Sequence, residues 1–499
     1  YMELSRTGEP TSRDKTIYFY TKVLSYRDQI EFFESATSRD YIFIAYYNLI
    51  RVAPGLGILD IETAYRLWEE LCQIRTMPKF CQYDTTNPRI PQLCDCAIND
   101  FRAYGAVLNV ERVIAPSAIL SSLENMTQIY YSEILHERGS IYECPVFTVF
   151  NYHYVQARNG TITWEAAWQI LDDYYIHKMQ TIGQVSSPDL LAFYTNLPLN
   201  LIDVLGHTHF KEEFKQATYR RYRNLITSYL MNQPASLNSY TLNNGVQLVA
   251  FHPLILGTFQ NRMEKMNFIV DLVVTRHLTT FTHSVMVSYL AEAIGKHILA
   301  ARPELLRIPS SYLEGNVYAS PAEVLDYIVP AALFHDIGKN GMIPIINTQH
   351  RKLNDYEFNI IQTHPQKGSD YLSSDPDFLI YQPVALGHHR SYDGTRGYPL
   401  SFDNTASPYR DAIDLIHICD CLDAATDYLS RNYHRAKPFD VVLNELKAGR
   451  GTEYNPDMVD VILSDRELYN DLKMLTEQNR ENIYYDIYLT FVNLRKKRQ

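Results

Sequence analysis

Apolar residues recur at three- and four-residue spacing along most of this chain, a pattern that predicts helices rather than strands. The spacing predicts helices over Asp40–Arg51, Ile61–Arg75, Ala115–Glu137, Trp164–Gln180 and Phe210–Met231. A long helix is expected from Phe259 towards Arg276, joining two halves of the chain. Between the halves, the stretch from Gln233 to Gly245 is dense in loop-forming residues and reads as a boundary. The expected organisation is an N-terminal helical regulatory or interaction module over residues 1–248 and a second helical domain over 249–499. Ile61 to Glu70 and Trp164 to Asp173 look alike at an offset of 103 residues, each after a Gly-containing turn. Degenerate duplication and coincidence both produce such a pair.

In the second half the apolar pattern is interrupted by groups that bind metals. Tyr327 to Phe334 is apolar and runs straight into His335-Asp336-Ile-Gly-Lys339. Gln382 to Gly387 runs into the pair His388-His389. With His283, His364 and Asp420, these make seven potential ligands between residues 283 and 420. Imidazole and carboxylate on apolar helices cost several kcal/mol to bury unless something compensates them. A metal centre is the usual compensation. Nitrogen and oxygen ligands without thiolate suit first-row divalent ions, iron or manganese foremost, with zinc, nickel and cobalt as alternatives. A lone histidine is more often a satisfied core residue; the ordered set is what points to ligation. Adjacent residues project in different directions, so the His-Asp and His-His pairs can serve two ions. Asp336 is the natural bridge, His283, His335 and Asp420 would complete one site, and His364, His388 and His389 the other.

These residues resemble the HD-GYP family, metal-dependent phosphodiesterases that open cyclic dinucleotides, chiefly cyclic di-GMP, inside bacteria. The resemblance runs from about residue 262 to about 465. It takes in Gly341-Met-Ile-Pro344, Leu353 to Glu357 ahead of His364-Pro365, Gly397-Tyr398-Pro399, Ile418 to Ala424, and Leu446 to Pro456. It implies an all-α fold whose C-terminal half is an HD-type helical bundle enclosing a dimetal site. It also implies an enzyme that hydrolyses a cyclic dinucleotide, cyclic di-GMP first, to the linear dinucleotide or GMP, using a hydroxide held between the metals. His335, Asp336 and Lys339 would be the catalytic set. Lys339 would neutralise charge on the phosphate; the alternative is a helix-end cation answering the helix dipole. Gly397, Tyr398 and Pro399 would meet the substrate, with Tyr398 stacking on guanine or simply packing its loop. Asp393 would orient a ligand histidine or hold its own turn.

Four departures from the family pattern change the expectation. Arg390 stands where the family carries glutamate, a charge reversal expected to weaken or redirect metal affinity. One extra residue separates Asp393-Gly394 from Gly397-Tyr398-Pro399. Thr279 replaces the glutamate found in three-metal members, which argues for two ions. The family's arginine segment after the last aspartate has its nearest equivalent in Arg431-Asn-Tyr433-His-Arg435, displaced along the chain. Arg431, then Arg435, are candidate phosphate contacts because guanidinium suits bidentate binding; an ordinary solvent-facing loop is the plain alternative. The departures motivate a second reading, a catalytically degenerate protein that binds cyclic dinucleotide or a partner protein as a signalling scaffold. A mononucleotide phosphohydrolase is a third, disfavoured by Gly397-Tyr398-Pro399 and by His388-His389.

At 499 residues the chain has room for two or three domains. Its 46% hydrophobic and 21% charged content describe an ordinary soluble protein. The net charge of −11 argues against DNA or RNA as partner, although metals and a few cations suffice for one small dinucleotide. No run approaches the roughly 18 apolar residues of a membrane span, and no signal peptide opens the chain. It starts at Tyr1, which suggests a trimmed piece of a longer protein. Seven cysteines without a disulfide framework point to a reducing cytoplasm. Cys72, Cys81 and Cys94-Asp-Cys96 lack the two-residue gap of common zinc sites. Cys419 and Cys421, flanking Asp420, are expected in the core. The 39 tyrosines read mainly as core or helix–helix interface, with a sensory ligand pocket as the alternative. A homodimer or a signalling partner would engage the N-terminal half.

Overall fold

Helix is the regular structure of the computed structural model, whose described residues are 10–32, 36–54, 59–78, 89–108, 117–181, 188–231, 240–274, 277–310, 317–342, 353–429 and 436–496. Among them, β pairing is limited to isolated bridges, and the all-α expectation holds. The chain divides into two compact units, Tyr1–Gln184 with Leu201–Lys211, and Val185–Asn200 with Glu212–Gln499. That division falls before residue 248.

The first unit is built on α1 (Pro10–Leu24), α2 (Ala36–Tyr47), α3 (Ile61–Arg75), α4 (Arg89–Leu108), α5 (Ser117–Arg138), α6 (Val146–Arg158) and α7 (Trp164–Thr181). Helix α3 starts where the Asp60 carboxylate accepts from the Thr63 amide, and α7 where Thr163 Oγ1 accepts from the Ala166 amide. These are ordinary N-caps, each satisfying an orphan donor of the first turn. They occupy equivalent positions in the two look-alike segments, and Ala64 and Ala167, also equivalent, are both fully buried. Helices α4 and α6 were not evident from periodicity; α4 carries Pro91 in its first turn and Cys94-Asp-Cys96 beyond it. Cys94 is buried and Cys96 exposed, so these thiols diverge; Cys81 lies outside the described residues. Tyr46, Tyr174 and Tyr175 are fully buried, and Tyr131 stacks on Tyr152 at 4.0 Å, as core packing requires.

A further helix, α8 (Pro188–Gly206), contains Pro198, which hides it from a periodicity reading. The second unit contains α9 (Glu212–Met231), α10 (Tyr240–Ala250) and α11 (Arg262–Val274). Residues 240–245, expected in a linker, are the start of α10, because Val246, Val249 and Ala250 further along it are buried. Residues 232–239 lie outside the described set. Helix α11 starts at Arg262 rather than Phe259. Asn261 caps the Glu264 amide while the Glu264 carboxylate accepts from the Gln260 amide. It lies wholly within the second unit.

Helix α12 (Leu278–Ala301) is the centre of that unit, buried along much of its length and packed against α13 (Pro321–Phe334) and α17 (Arg410–Thr426). Between these come α14 (Asp355–Ile361), α15 (His364–Leu372) and α16 (Gln382–Gly387); α18 (Phe439–Ala448), α19 (Pro456–Ser464), α20 (Arg466–Lys473) and α21 (Arg480–Lys496) complete the bundle. A capping box between Ser320 and Glu323, with Pro321 in the first turn, starts α13. At its other end the backbone tightens through His335-Asp336 into the 3-10 segment Ile337–Gly341. Gly338 lets this segment press on the start of α15: a Cβ there would lie 2.0 Å from the His364 carbonyl oxygen. No helix among the described residues is long and apolar enough to cross a membrane.

Forcing a methyl group into a closed contact of this kind costs about 1–3 kcal/mol. Gly338→Ala should therefore lower unfolding free energy by about that much in denaturant melts. Gly368→Ala, whose Cβ would meet its nearest neighbours at 3.3 Å, should cost less; equal losses would contradict this account of the contact.

Candidate metal centre

Five helices deliver the seven candidate ligands. Helix α12 carries His283, and the end of α13 delivers His335 and Asp336. His364 opens α15, His388 and His389 follow α16, and α17 carries Asp420. They gather into two sets in which the ligating atoms lie within 4.8 Å of one another: Asp336 with His364, His388 and His389, and His283 with His335 and Asp420. Asp336 faces both. Its Oδ1 lies 3.1 Å from His364 Nε2 and 3.6 Å from His388 Nε2. Its Oδ2 lies 3.5 Å from His335 Nε2 and 3.6 Å from His283 Nε2. Asp420 spans the sets too, with Oδ1 3.0 Å from His283 Nε2 and Oδ2 3.7 Å from His389 Nδ1.

The backbone fixes which ring nitrogen faces inward. The Nδ1–H groups of His335, His364 and His388 donate to the carbonyls of Ala332, Ile361 and Ala385 at 2.6, 2.7 and 2.9 Å. Each Nε2 therefore turns a lone pair towards the centre. His364 Nε2 and His388 Nε2 stand 3.2 Å apart. His335 Nε2, His389 Nε2 and Asp336 Oδ1 are buried with no hydrogen-bond partner. Converging acceptors without donors repel one another, and each orphan costs about 1–3 kcal/mol. Divalent cations remove both penalties, so the side chains present fit a metal centre of nitrogen and oxygen ligands.

The two sets differ electrostatically. Burial holds His335, His364, His388 and His389 below the usual imidazole range, His364 at about 4, so all four are neutral near pH 7. Burial also opposes protonation of His283, but hydrogen bonds to Asp420 and Asp423 outweigh it and lift its pKa to about 9. Burial would raise Asp336 and Asp420 as well. The Lys339 ammonium and neighbouring imidazoles prevail at Asp336, and His283 prevails at Asp420, holding both carboxyls well below the ordinary range.

Around the candidate ligand Asp420, α17 carries a stripe at helical spacing whose other members the sequence left without roles. Asp414, His417, Asp420, Asp423 and, just past the helix end, Asp427 are all buried. His417 Nδ1 holds the His388 carbonyl at 2.7 Å. Asp423 Oδ2 accepts from His283 Nδ1 at 2.7 Å, and its Oδ1 accepts from the buried Arg480 at 2.8 Å. The three- and four-residue spacing of these polar groups on an apolar helix was the available signal. Cys419 is buried beside them, whereas Cys421 is only partly so.

Lys339 Nζ pairs with Asp336 Oδ2 at 2.5 Å. The Tyr398 ring lies 4.5 Å from His389. At Gly397, φ is +87° and a Cβ would sit 1.9 Å from the His389 carbonyl oxygen, so glycine alone lets the loop return there. Asp393 holds its own turn, accepting from Ser391 Oγ and from the Thr395 amide and hydroxyl at 2.7–2.9 Å. Arg390 is buried, and its guanidinium donates to the carbonyls of Gly394 and Gly397 across the enlarged loop. Arg431 and Arg435, like Ile343 and Pro344, lie outside the described residues.

Residues 280–432 match the HD domain family. A cyclic di-GMP phosphodiesterase of Vibrio cholerae serotype O1 is 26% identical over 303 residues, covering 55% of this chain and 60% of the relative. The cyclic di-GMP phosphodiesterase response regulator of Xanthomonas campestris pv. campestris is 33% identical over 146 residues, 29% of this chain and 37% of the relative. A 3'3'-cGAMP-specific phosphodiesterase of Vibrio cholerae is 25% identical over 203 residues, 40% of this chain and 37% of the relative. The chain thus spans between 37% and 60% of the length of these relatives.

Ligands must be deprotonated to bind, so the raised His283 pKa has a consequence. Below about pH 9 a cation entering the His283 set displaces a proton, whereas the Asp336 set has none to release. Manganese titrations between about pH 6 and 8 should show affinity at one site rising up to tenfold per pH unit and the other nearly level. Identical pH slopes at both sites would contradict the assignment.

Proposed function

We propose that this chain, whose residues 280–432 match the HD domain family, is a divergent HD-GYP protein that hydrolyses cyclic dinucleotides with the help of two divalent cations. The observation that carries the reading is Asp336, which turns one oxygen to His364 and His388 and the other to His283 and His335. We assign it as the bridge, with His283, His335 and Asp420 completing one site and His364, His388 and His389 the other. The chemistry supplied by such ions when bound, iron or manganese foremost, would be a lowered pKa for water and polarisation of a phosphodiester oxygen.

The chain's own residues do the rest. His389 and Lys339, with 20% and 21% of their side chains exposed, mark the side on which solvent and substrate reach the buried centre. Lys339 meets the charge that grows on the phosphate in the transition state. Tyr398, beside His389, offers a ring face to a guanine, and Gly397 and Pro399 shape the turn that holds it. Arg431 and Arg435 are assigned to the second phosphate. In the reaction water adds to phosphorus, the bond to the 3′ oxygen breaks, and that oxygen leaves with a proton. The product is the linear dinucleotide, or GMP after a second cleavage. Names of the relatives favour cyclic di-GMP, with 3'3'-cGAMP next. A chain of net charge −11 suits one small dinucleotide better than a nucleic-acid polymer. A large chain with seven cysteines and no disulfide framework in its sequence suits a cytoplasmic setting.

The scaffold reading leans on Arg390, but its hydrogen bonds go to the signature loop rather than to any ligand. Purified chain loaded with iron or manganese should turn over cyclic di-GMP in a panel of cyclic dinucleotides. Asp336→Ala should cut the rate by a factor of about 1,000 or more, in keeping with loss of a metal ligand, while circular dichroism stays helical. Undiminished turnover by Asp336→Ala, or tight dinucleotide binding without turnover by the fully loaded wild type, would overturn the enzymatic account.

A further inference from the structure

Arg480, at the first position of α21, has no exposed side-chain surface. Its Nε donates to the Thr476 carbonyl at 2.9 Å and Nη2 to Thr426 Oγ1 at 2.8 Å. Its Nη1 donates to Asp423 Oδ1 at 2.8 Å and to the Tyr484 hydroxyl at 3.3 Å, and lies 3.7 Å from Asp427 Oδ1. Asp423 Oδ2 in turn accepts a hydrogen bond from His283 Nδ1. An unbroken buried chain thus runs from α21 through α17 to a candidate ligand on α12. Packing of Ile483 and Ile487 of α21 against Met286, one turn beyond His283, pins the same helices together.

Stability alone is a poor reason for this arrangement. A buried ion pair is often no better than well-packed apolar residues of the same volume. Orientation is a better one, because histidine ligands are aligned by what their second nitrogen meets. Here the two sets are supported differently. His364, His388 and His335 are fastened by backbone carbonyls, which no side-chain substitution removes directly. Only His283 is fastened by a carboxylate, and that carboxylate is itself held by Arg480.

We infer that Arg480 is a positioning residue for one cation only, the one at His283, His335 and Asp420, acting through Asp423 on the direction of the His283 lone pair. The inference rests on the two-cation reading above. Loss of such an outer partner typically weakens metal binding by about 10–100-fold, and here the loss should be one-sided.

The test is calorimetric titration of chelator-stripped full-length chain with manganese(II), with bound metal counted after gel filtration. Wild type should take two ions. Arg480→Met should bind one within twofold of wild type and the other about 10–100-fold more weakly. Asp423→Asn should behave likewise, and Arg480→Lys, which keeps the charge, should recover part of the lost affinity. Arg480→Met with wild-type helicity that binds both ions as tightly as wild type, or loses both equally, would overturn the inference. Should Arg480→Met fail to fold, the near-isosteric Asp423→Asn decides on the same criteria. A wild type that binds no ion would instead sink the two-cation reading itself, whatever the variants do.

Discussion

In the interior of the second unit, electron pairs converge with no proton to separate them. His364 Nε2 and His388 Nε2 face each other at 3.2 Å, while Asp336 Oδ1, His335 Nε2 and His389 Nε2 have no hydrogen-bond partner. Backbone carbonyls on the far sides of three rings prevent those rings from relieving the conflict by changing tautomer. Positive charge placed between the acceptors satisfies them together. The constraint explains why so many polar groups are tolerated where apolar side chains would pack at lower cost.

The surrounding bundle is arranged to keep those groups converged. Gly338 allows the backbone after Asp336 to touch the start of α15, which brings His364 to Asp336. Gly397 does the same for the loop that returns over His389, and Arg390 ties that loop through its carbonyls. Helix α17 serves as the spine. His417 steadies the His388 backbone, Asp420 faces the centre, and Asp423 connects His283 to Arg480. The two ligand sets differ accordingly: one is made of neutral imidazoles beside an ionised carboxylate, and the other contains an imidazole held protonated by two carboxylates.

Much of this was legible in the sequence because the ligands break an apolar pattern. Histidine and aspartate at the ends of Tyr327–Phe334 and Gln382–Gly387 have no place in ordinary packing, and a resemblance to a known family followed from their order. Helix α3 was legible to the residue because Asp60 caps it and its apolar face is regular. The start of α10 was not, since Asn243-Asn-Gly245 carries turn chemistry that burial of Val246 and Val249 overrides. Nor was the direction of Arg390, for residue type gives charge but not where a guanidinium points. Arg480 was invisible for another reason: its partners Asp423 and Thr426 lie more than fifty positions away, and nothing local announces them.

Anomalous diffraction from crystals grown with manganese or iron tests the central claim most directly. The account predicts two peaks in the second unit, one among Asp336, His364, His388 and His389, the other among His283, His335 and Asp420. Difference density there that carries no anomalous signal, as ordered water would give, would contradict it.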